Sequence, residues 1–162
     1  MIKALIALDG SDTSDQALDL ACTLLGGKEA EVTVLHVIPR HMIYGRGGPV
    51  VAECYDPKEE HEHSRELLVA AEQRLREKGV SGKITKELEI GDPADLILTV
   101  AAQDNDDLII LGSRGLNAAQ RFLLGSVSTR VTTHAHCAVL VTHPRVAPTP
   151  IEAEELGEAV TV

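Results

Sequence analysis

The sequence predicts a doubly wound α/β domain on a five-stranded parallel sheet of order 3-2-1-4-5, and three observations carry that expectation. Four short apolar runs, residues 4–8, 32–38, 108–111 and 138–141, lack clean alternation, as strands buried on both faces do. Amphipathic segments with recognisable helix starts separate them, and strict strand–helix alternation calls for right-handed crossovers onto both faces of a parallel sheet. The length of 162 residues suits one domain with one core.

Each element has its own warrant. The first run stops at Asp9, too short for a signal-peptide core or a spanning helix, so a cytoplasmic location is expected. Thr13 followed by Gln16 reads as a capping box, after which Ala17, Leu18, Ala21, Cys22 and Leu25 form one stripe that Gly26-Gly27 ends. Residues 32–38 form the second strand. The stretch 41–55, with Gly45, Gly47, Gly48 and Pro49, reads as a long insertion loop that either covers the site or is a plain surface excursion. Asp56 as N-cap, Pro57 and Glu59 open a second helix, in which Leu67, Leu68, Ala71 and Leu75 recur at helical spacing. Residues 83–90 alternate Ile84, Leu88 and Ile90 against Thr85, Glu87 and Glu89, which predicts a strand with one wet face near a sheet edge. Asp92-Pro93 opens a third helix, and Gly125-Ser126 a fourth segment carrying Val127 and Val131. The domain is expected over residues 1–143. The acidic stretch 144–162, with Glu152, Glu154, Glu155 and Glu158 and no basic residue after Arg145, is expected to be a flexible or loosely docked tail.

Composition narrows the function. Fifteen Lys plus Arg against 25 Asp plus Glu give a net charge of −10, which disfavours nucleic acid and anionic membrane surfaces as partners. Aromatic residues are only 2%, too few for base-stacking platforms. Three cysteines, Cys22, Cys54 and Cys137, form no CxxC and read as reduced thiols, Cys22 and Cys137 within apolar patterns. His61 and His63 are two apart on a helix and point to different faces, so no metal site is expected there, and Glu59, Glu60, Glu62 and Glu66 read as a solvated helix face.

In a doubly wound sheet ligands bind outside the carboxyl ends of the strands where the winding reverses, here between the first and fourth strands, at Asp9 and Gly112. Asp9 ahead of Gly10-Ser11 can also serve purely to hold a turn. The most informative stretch is Gly112-Ser113-Arg114-Gly115, nine further residues, then Gly125-Ser126-Val127-Ser128, running from a strand into a helix. Glycines let phosphates approach the backbone, a helix start supplies unpaired N–H donors and partial positive charge, and Ser126 and Ser128 add hydroxyls. The alternative is an ordinary turn into a capped helix.

This pattern resembles the G-x2-G-x9-G-(S/T) signature of the universal stress protein family, specifically its ATP-binding branch, and the likeness extends over most of residues 1–142. It includes the opening Ala7-Leu8-Asp9-Gly10-Ser11, Val34-Leu35-His36-Val37 and the closing run from Cys137 to Val141. The resemblance implies that Asp9 meets the ribose or adenine side and that backbone at Val37 contacts the adenine. It places Gly112 and Gly115 against ribose and phosphates, and Gly125, Ser126, Val127 and Ser128 on the phosphate chain, with Arg114 as the nearest cation. A magnesium ion would then be coordinated mainly by the phosphates and water.

No catalytic residue is assigned: the chain has no Walker lysine and no G-x-S-x-G elbow, so any ATP hydrolysis is expected to be slow. The expected role is a nucleotide-dependent regulatory module of the stress response. Three alternatives are an interaction module with an empty site, a cyclic AMP-preferring form, and a slow enzyme of the related nucleotide α-hydrolase group. The uncharged strand 138–141 at a sheet edge predicts a homodimer through residues 137–142, as the resemblance also implies, while protein clients remain unnamed by the sequence.

Overall fold

Alternate residues of β1 (Ile2–Leu8) go to opposite faces of the sheet, and this sets the layers of the fold. Ala4, Ile6 and Leu8 join a core cluster with Ala17, Leu18, Ala21, Cys22 and Leu25 of α1 (Asp12–Leu25) and Leu68, Ala71 and Leu75 of α2 (Pro57–Glu77). Leu5 faces the other way, into a cluster with Ala94, Ile97, Val100 and Ala101 of α3 (Pro93–Asp104) and Val131 of α4 (Ser126–His134). The computed structural model from which these contacts come describes residues 1–39, 42–45, 48–51, 57–113 and 125–144, with side chains undescribed at 42–45, 48–51 and 57–60. Arg114, Gly115, Cys54, the Asp56 cap and the acidic tail from residue 145 lie outside them.

The remaining strands are β2 (Ala30–Pro39), β3 (Met42–Gly45), β4 (Gly48–Val51), β5 (Ile84–Gly91), β6 (Leu108–Gly112) and β7 (Ala138–Thr142). The main sheet has the order β5-β2-β1-β6-β7 and is parallel throughout. Counted without β3 and β4, this is the expected 3-2-1-4-5. Its two apolar faces, covered by two helices each, explain why the central runs in the sequence show no alternation. β5 alternates because it is an edge, and Ile90 there is exposed.

Two local expectations need correction. The stretch 41–55 is not merely a loop: Met42 pairs with Val51 and Gly45 with Gly48 in an antiparallel hairpin. Gly45 and Gly48 are the last pair of that ladder, so these two glycines punctuate a hairpin rather than a coil. The cap of α1 is Ser11, not Thr13. Ser11 has extended backbone (φ −79°, ψ 160°) and accepts from the Ser14 N–H, whereas Thr13 already lies in the first turn and is buried. Gly10, at φ +78°, makes the bend that lets β1 deliver Ser11 there.

The caps of α3 and α4 follow expectation. Asp92 accepts from the Asp95 N–H with Pro93 at the first helical position, and Gly125 precedes α4. Cys22 is buried and Cys137 partly so, and burial pushes both thiols up. No helix among the described residues is long and apolar enough to cross a membrane.

Candidate functional site

β1 ends at Leu8, opposite His36, while β2 runs on through Val37 to Pro39 and β6 runs on to Gly112, one residue past the partner of Ala7. The chain leaves β1 for α1 on one face and leaves β6 for α4 on the other. The carboxyl ends of these strands therefore part at the point where the winding reverses, and the first turns of α1 and α4 flank the opening.

On the α1 side the turn is tightly ordered. Asp9 Oδ1 accepts from the Ser11 N–H at 3.1 Å and the Ser11 hydroxyl at 2.6 Å. With its proton on Asp9, Ser11 Oγ receives the Thr13 hydroxyl at 3.2 Å, and the Ser14 hydroxyl donates to the Ser11 carbonyl at 2.9 Å. Asp9 thus does hold a turn, with one carboxylate oxygen. His36 Nδ1–H donates to the Leu8 carbonyl at 2.7 Å and fixes the end of β1. Gly112 lies directly under this turn: a Cβ there would stand 2.6 Å from Thr13 Oγ1 and 2.9 Å from Ser14 N. Glycine at 112 is accordingly required by helix packing whatever else binds. Thr142, at the end of β7, donates its hydroxyl to the Thr13 carbonyl at 2.7 Å and so ties the outer strand to the same turn.

On the α4 side, Ser113 is the organising residue. Its N–H donates to the Thr142 carbonyl at 2.7 Å, and its carbonyl accepts from the Gly125 N–H at 2.7 Å and the Ser128 hydroxyl at 2.9 Å. The two ends of the segment 114–124 are therefore held next to each other at the tip of β6. Ser128 is almost fully buried and its hydroxyl is engaged with the Ser113 and Gly125 carbonyls, so it binds the base of the loop together rather than facing outward. Ser126 is exposed, and Gly125 caps α4 without any side-chain hydrogen bond to the first turn. Val37 and Val127 turn their side chains into the second core cluster, so only their backbone is available to a ligand. Arg130 clasps the start of α3, with Nη1 donating to both Asp92 oxygens at 3.0 Å and Nη2 to Asp95. The Asp95 N–H and then Arg130 hold the Asp92 carboxyl below the usual carboxylate range. Such exposed pairs contribute at most about 1 kcal/mol.

The structure thus brings Asp9, Val37, Gly112, Gly125, Ser126, Val127 and Ser128 to one end of the sheet. Sequence reasoning gave no role to Ser113 or Thr142, named His36 only within the second strand, and took Thr13 only for a helix cap. Ser113 was legible as the spacer residue of the glycine motif, whereas the link from Thr142 to Thr13 spans 129 positions and leaves no local pattern. A polar cavity of about 250 Å³ lies at the opposite, amino end of the sheet, lined among others by Lys3, Thr33 and Asp104, and belongs to a different part of the molecule.

A parallel sheet whose winding reverses beside a helix start without a side-chain cap defines a Rossmann-like α/β domain. Within that class, the chain belongs to the universal stress protein family, whose model matches residues 1–143. Universal stress protein YxiE of Bacillus subtilis (strain 168) is 34% identical over 145 residues, 86% of this chain and 97% of that protein. The solved universal stress protein UspA from Lactobacillus plantarum superposes with a TM-score of 0.73 at 25% identity, covering 88% of this chain and 97% of its own. A universal stress protein solved in complex with cAMP shares the fold with a TM-score of 0.63 at 24% identity, over 88% of this chain and 96% of that one.

Proposed function

We propose that this universal stress protein binds ATP at the carboxyl ends of β1 and β6 and acts as a nucleotide-dependent regulatory module. The observation that carries this reading is the start of α4: Gly125 has no side chain and no side-chain cap, so the first-turn amides stand ready for an anion beside the pinned ends of the glycine loop. Phosphates would lie over Gly125, Ser126 and the Val127 backbone, with Ser128 and Ser113 holding the loop in shape. Arg114 and Gly115 complete the motif in sequence. The adenine would meet the Val37 backbone where β2 outruns β1, and Asp9 would take the ribose with the carboxylate oxygen not spent on Ser11. Among the described residues no group of three or more His, Cys, Asp or Glu is arranged to hold a metal ion, so magnesium would draw its ligands from phosphate and water.

Mass spectrometry of nucleotide released from denatured purified protein, with calorimetric titration by Mg-ATP, tests the reading. ATP is expected in both. Release of cyclic AMP alone would favour the cAMP-preferring form instead, a reading encouraged by the fold neighbour solved with cAMP. No nucleotide and no heat of binding would leave an interaction module.

The same reading includes a homodimer through residues 137–142. β7 has a strand partner on one side only and carries no charge, whereas the other edge, β5, is blunted by Lys86, Glu87 and Glu89. An antiparallel twofold pairing of β7 edges would bury the half-exposed Val139 and Val141. Light scattering at micromolar concentration is expected to give twice the chain mass, and a monomer would remove this part of the proposal.

A further inference from the structure

Helix α3 ends in a Schellman turn: Asn105 is left-handed at φ +51°, its N–H donates to the Ala102 carbonyl, and the Asp106 N–H donates to the Ala101 carbonyl at 2.9 Å. The residue after the left-handed position in this turn is normally apolar, because it folds back against the helix. Here it is aspartate. Asp106 is only 5% exposed, and its Oδ2, shut off from solvent, has no hydrogen-bond partner among the described residues.

Its surroundings do not offset the charge. Asp104 on α3, Asp107 in the same turn and Glu87 on β5 all repel an ionised Asp106, and Glu31 on β2 lines the adjoining cavity. Lys3 on β1 acts against the charge, but Lys3 Nζ already donates to the Asp104 carbonyl at 3.1 Å and pairs with Glu31 at 3.4 Å. Lys83 stands on the cavity wall, and the Cys137 thiol at the approach to β7, pushed up by burial and then by Asp106, brings no positive charge. A carboxylate with one oxygen buried without a donor and no free counter-ion is unfavourable, and a proton removes the charge.

We propose that Asp106 is a proton-binding site that tightens the amino end of the sheet when the surroundings acidify. The turn is placed to spread the effect: the Asp107 N–H donates to the Lys3 carbonyl at the start of β1, and the Asp107 carbonyl accepts from the Ala138 N–H at the start of β7. The polar cavity beside it gives water and protons a path to the turn. Burial first, and then Asp104, push the Asp106 carboxyl up from the ordinary 3.8 to about 6. The folded protein therefore binds more protons than the unfolded chain between those two values. Stability falls as the pH rises through that window and levels off above it.

Denaturant unfolding of wild type and Asp106→Asn across that range tests the proposal, since asparagine copies the shape of the protonated carboxyl without the charge. At about pH 7.5 the variant is expected to favour the folded state by up to about 100-fold more than wild type, shrinking to about threefold or less near pH 4. A difference that does not change with pH overturns the proposal. Carbon-13 titration of the Asp106 carboxyl in wild type provides a reading that does not depend on the variant: a midpoint near 6 supports the site, and one near 4 overturns it.

Discussion

Gly112→Ala is expected to destabilise the protein by about 1–3 kcal/mol, the range for overpacking a site whose neighbours cannot retreat. The added methyl would meet Thr13 Oγ1 at 2.6 Å, and also Ser14 N and the Thr13 carbonyl carbon at 2.9 Å. A side-chain oxygen can rotate away, but the other two atoms are backbone in the first turn of α1, held by Ser11 and by Thr142. Relief requires moving the helix start, which pulls on the Asp9–Ser11 pair and the Thr142–Thr13 hydrogen bond together. For a domain of this size the melting temperature should fall by about 3–10 °C, read by circular dichroism. Gly10→Ala is the contrasting case: nothing lies within 4 Å of its added Cβ, so its cost comes only from φ +78° and should be about 1–2 kcal/mol. An unchanged melting temperature for Gly112→Ala would mean that α1 is free to shift.

Gly125→Val is expected to weaken Mg-ATP binding at least tenfold, about 1.4 kcal/mol, while leaving the fold intact. The backbone at Gly125 has φ −64° and ψ 162°, which valine adopts without strain, so the substitution adds bulk where the phosphates are proposed to lie without straining the backbone. The net charge of −10 does not preclude an anionic ligand. A like-charge pair about 15 Å apart in water repels by about 0.3 kcal/mol, and a Debye length of about 8 Å screens most of that. A helix N-terminus favours an anion by about 0.3–2 kcal/mol, and each hydrogen bond to a charged group adds about 1.5–3 kcal/mol, so local donors dominate. Calorimetric titration of wild type and variant reads the difference. Equal affinities in a well-folded variant would show that Gly125 is a structural turn and would sink the ATP proposal.

The order of the main-sheet strands and helices was legible in the sequence because it rests on local periodicity and local punctuation, and the parallel 3-2-1-4-5 winding followed from the doubly wound fold that this alternation implies. A strand buried on both faces must be apolar throughout, and helix starts such as Asp92-Pro93 are complete within four residues. The glycine motif was legible for the same reason. Tertiary structure alone decided which of two hydroxyl residues caps α1, because Ser11 and Thr13 are chemically equivalent until Thr13 is packed between Gly112 and Thr142. It also decided that Ser128 faces inward to the Ser113 carbonyl, 15 positions away, and that the insertion pairs with itself as a hairpin. Asp106 makes the point most sharply. In the sequence it is one acidic residue in the run Asp104-Asn105-Asp106-Asp107, with no local signal of burial. Only the left-handed turn at Asn105 folds this carboxylate inward, because burial depends on where the chain returns rather than on the residue it carries.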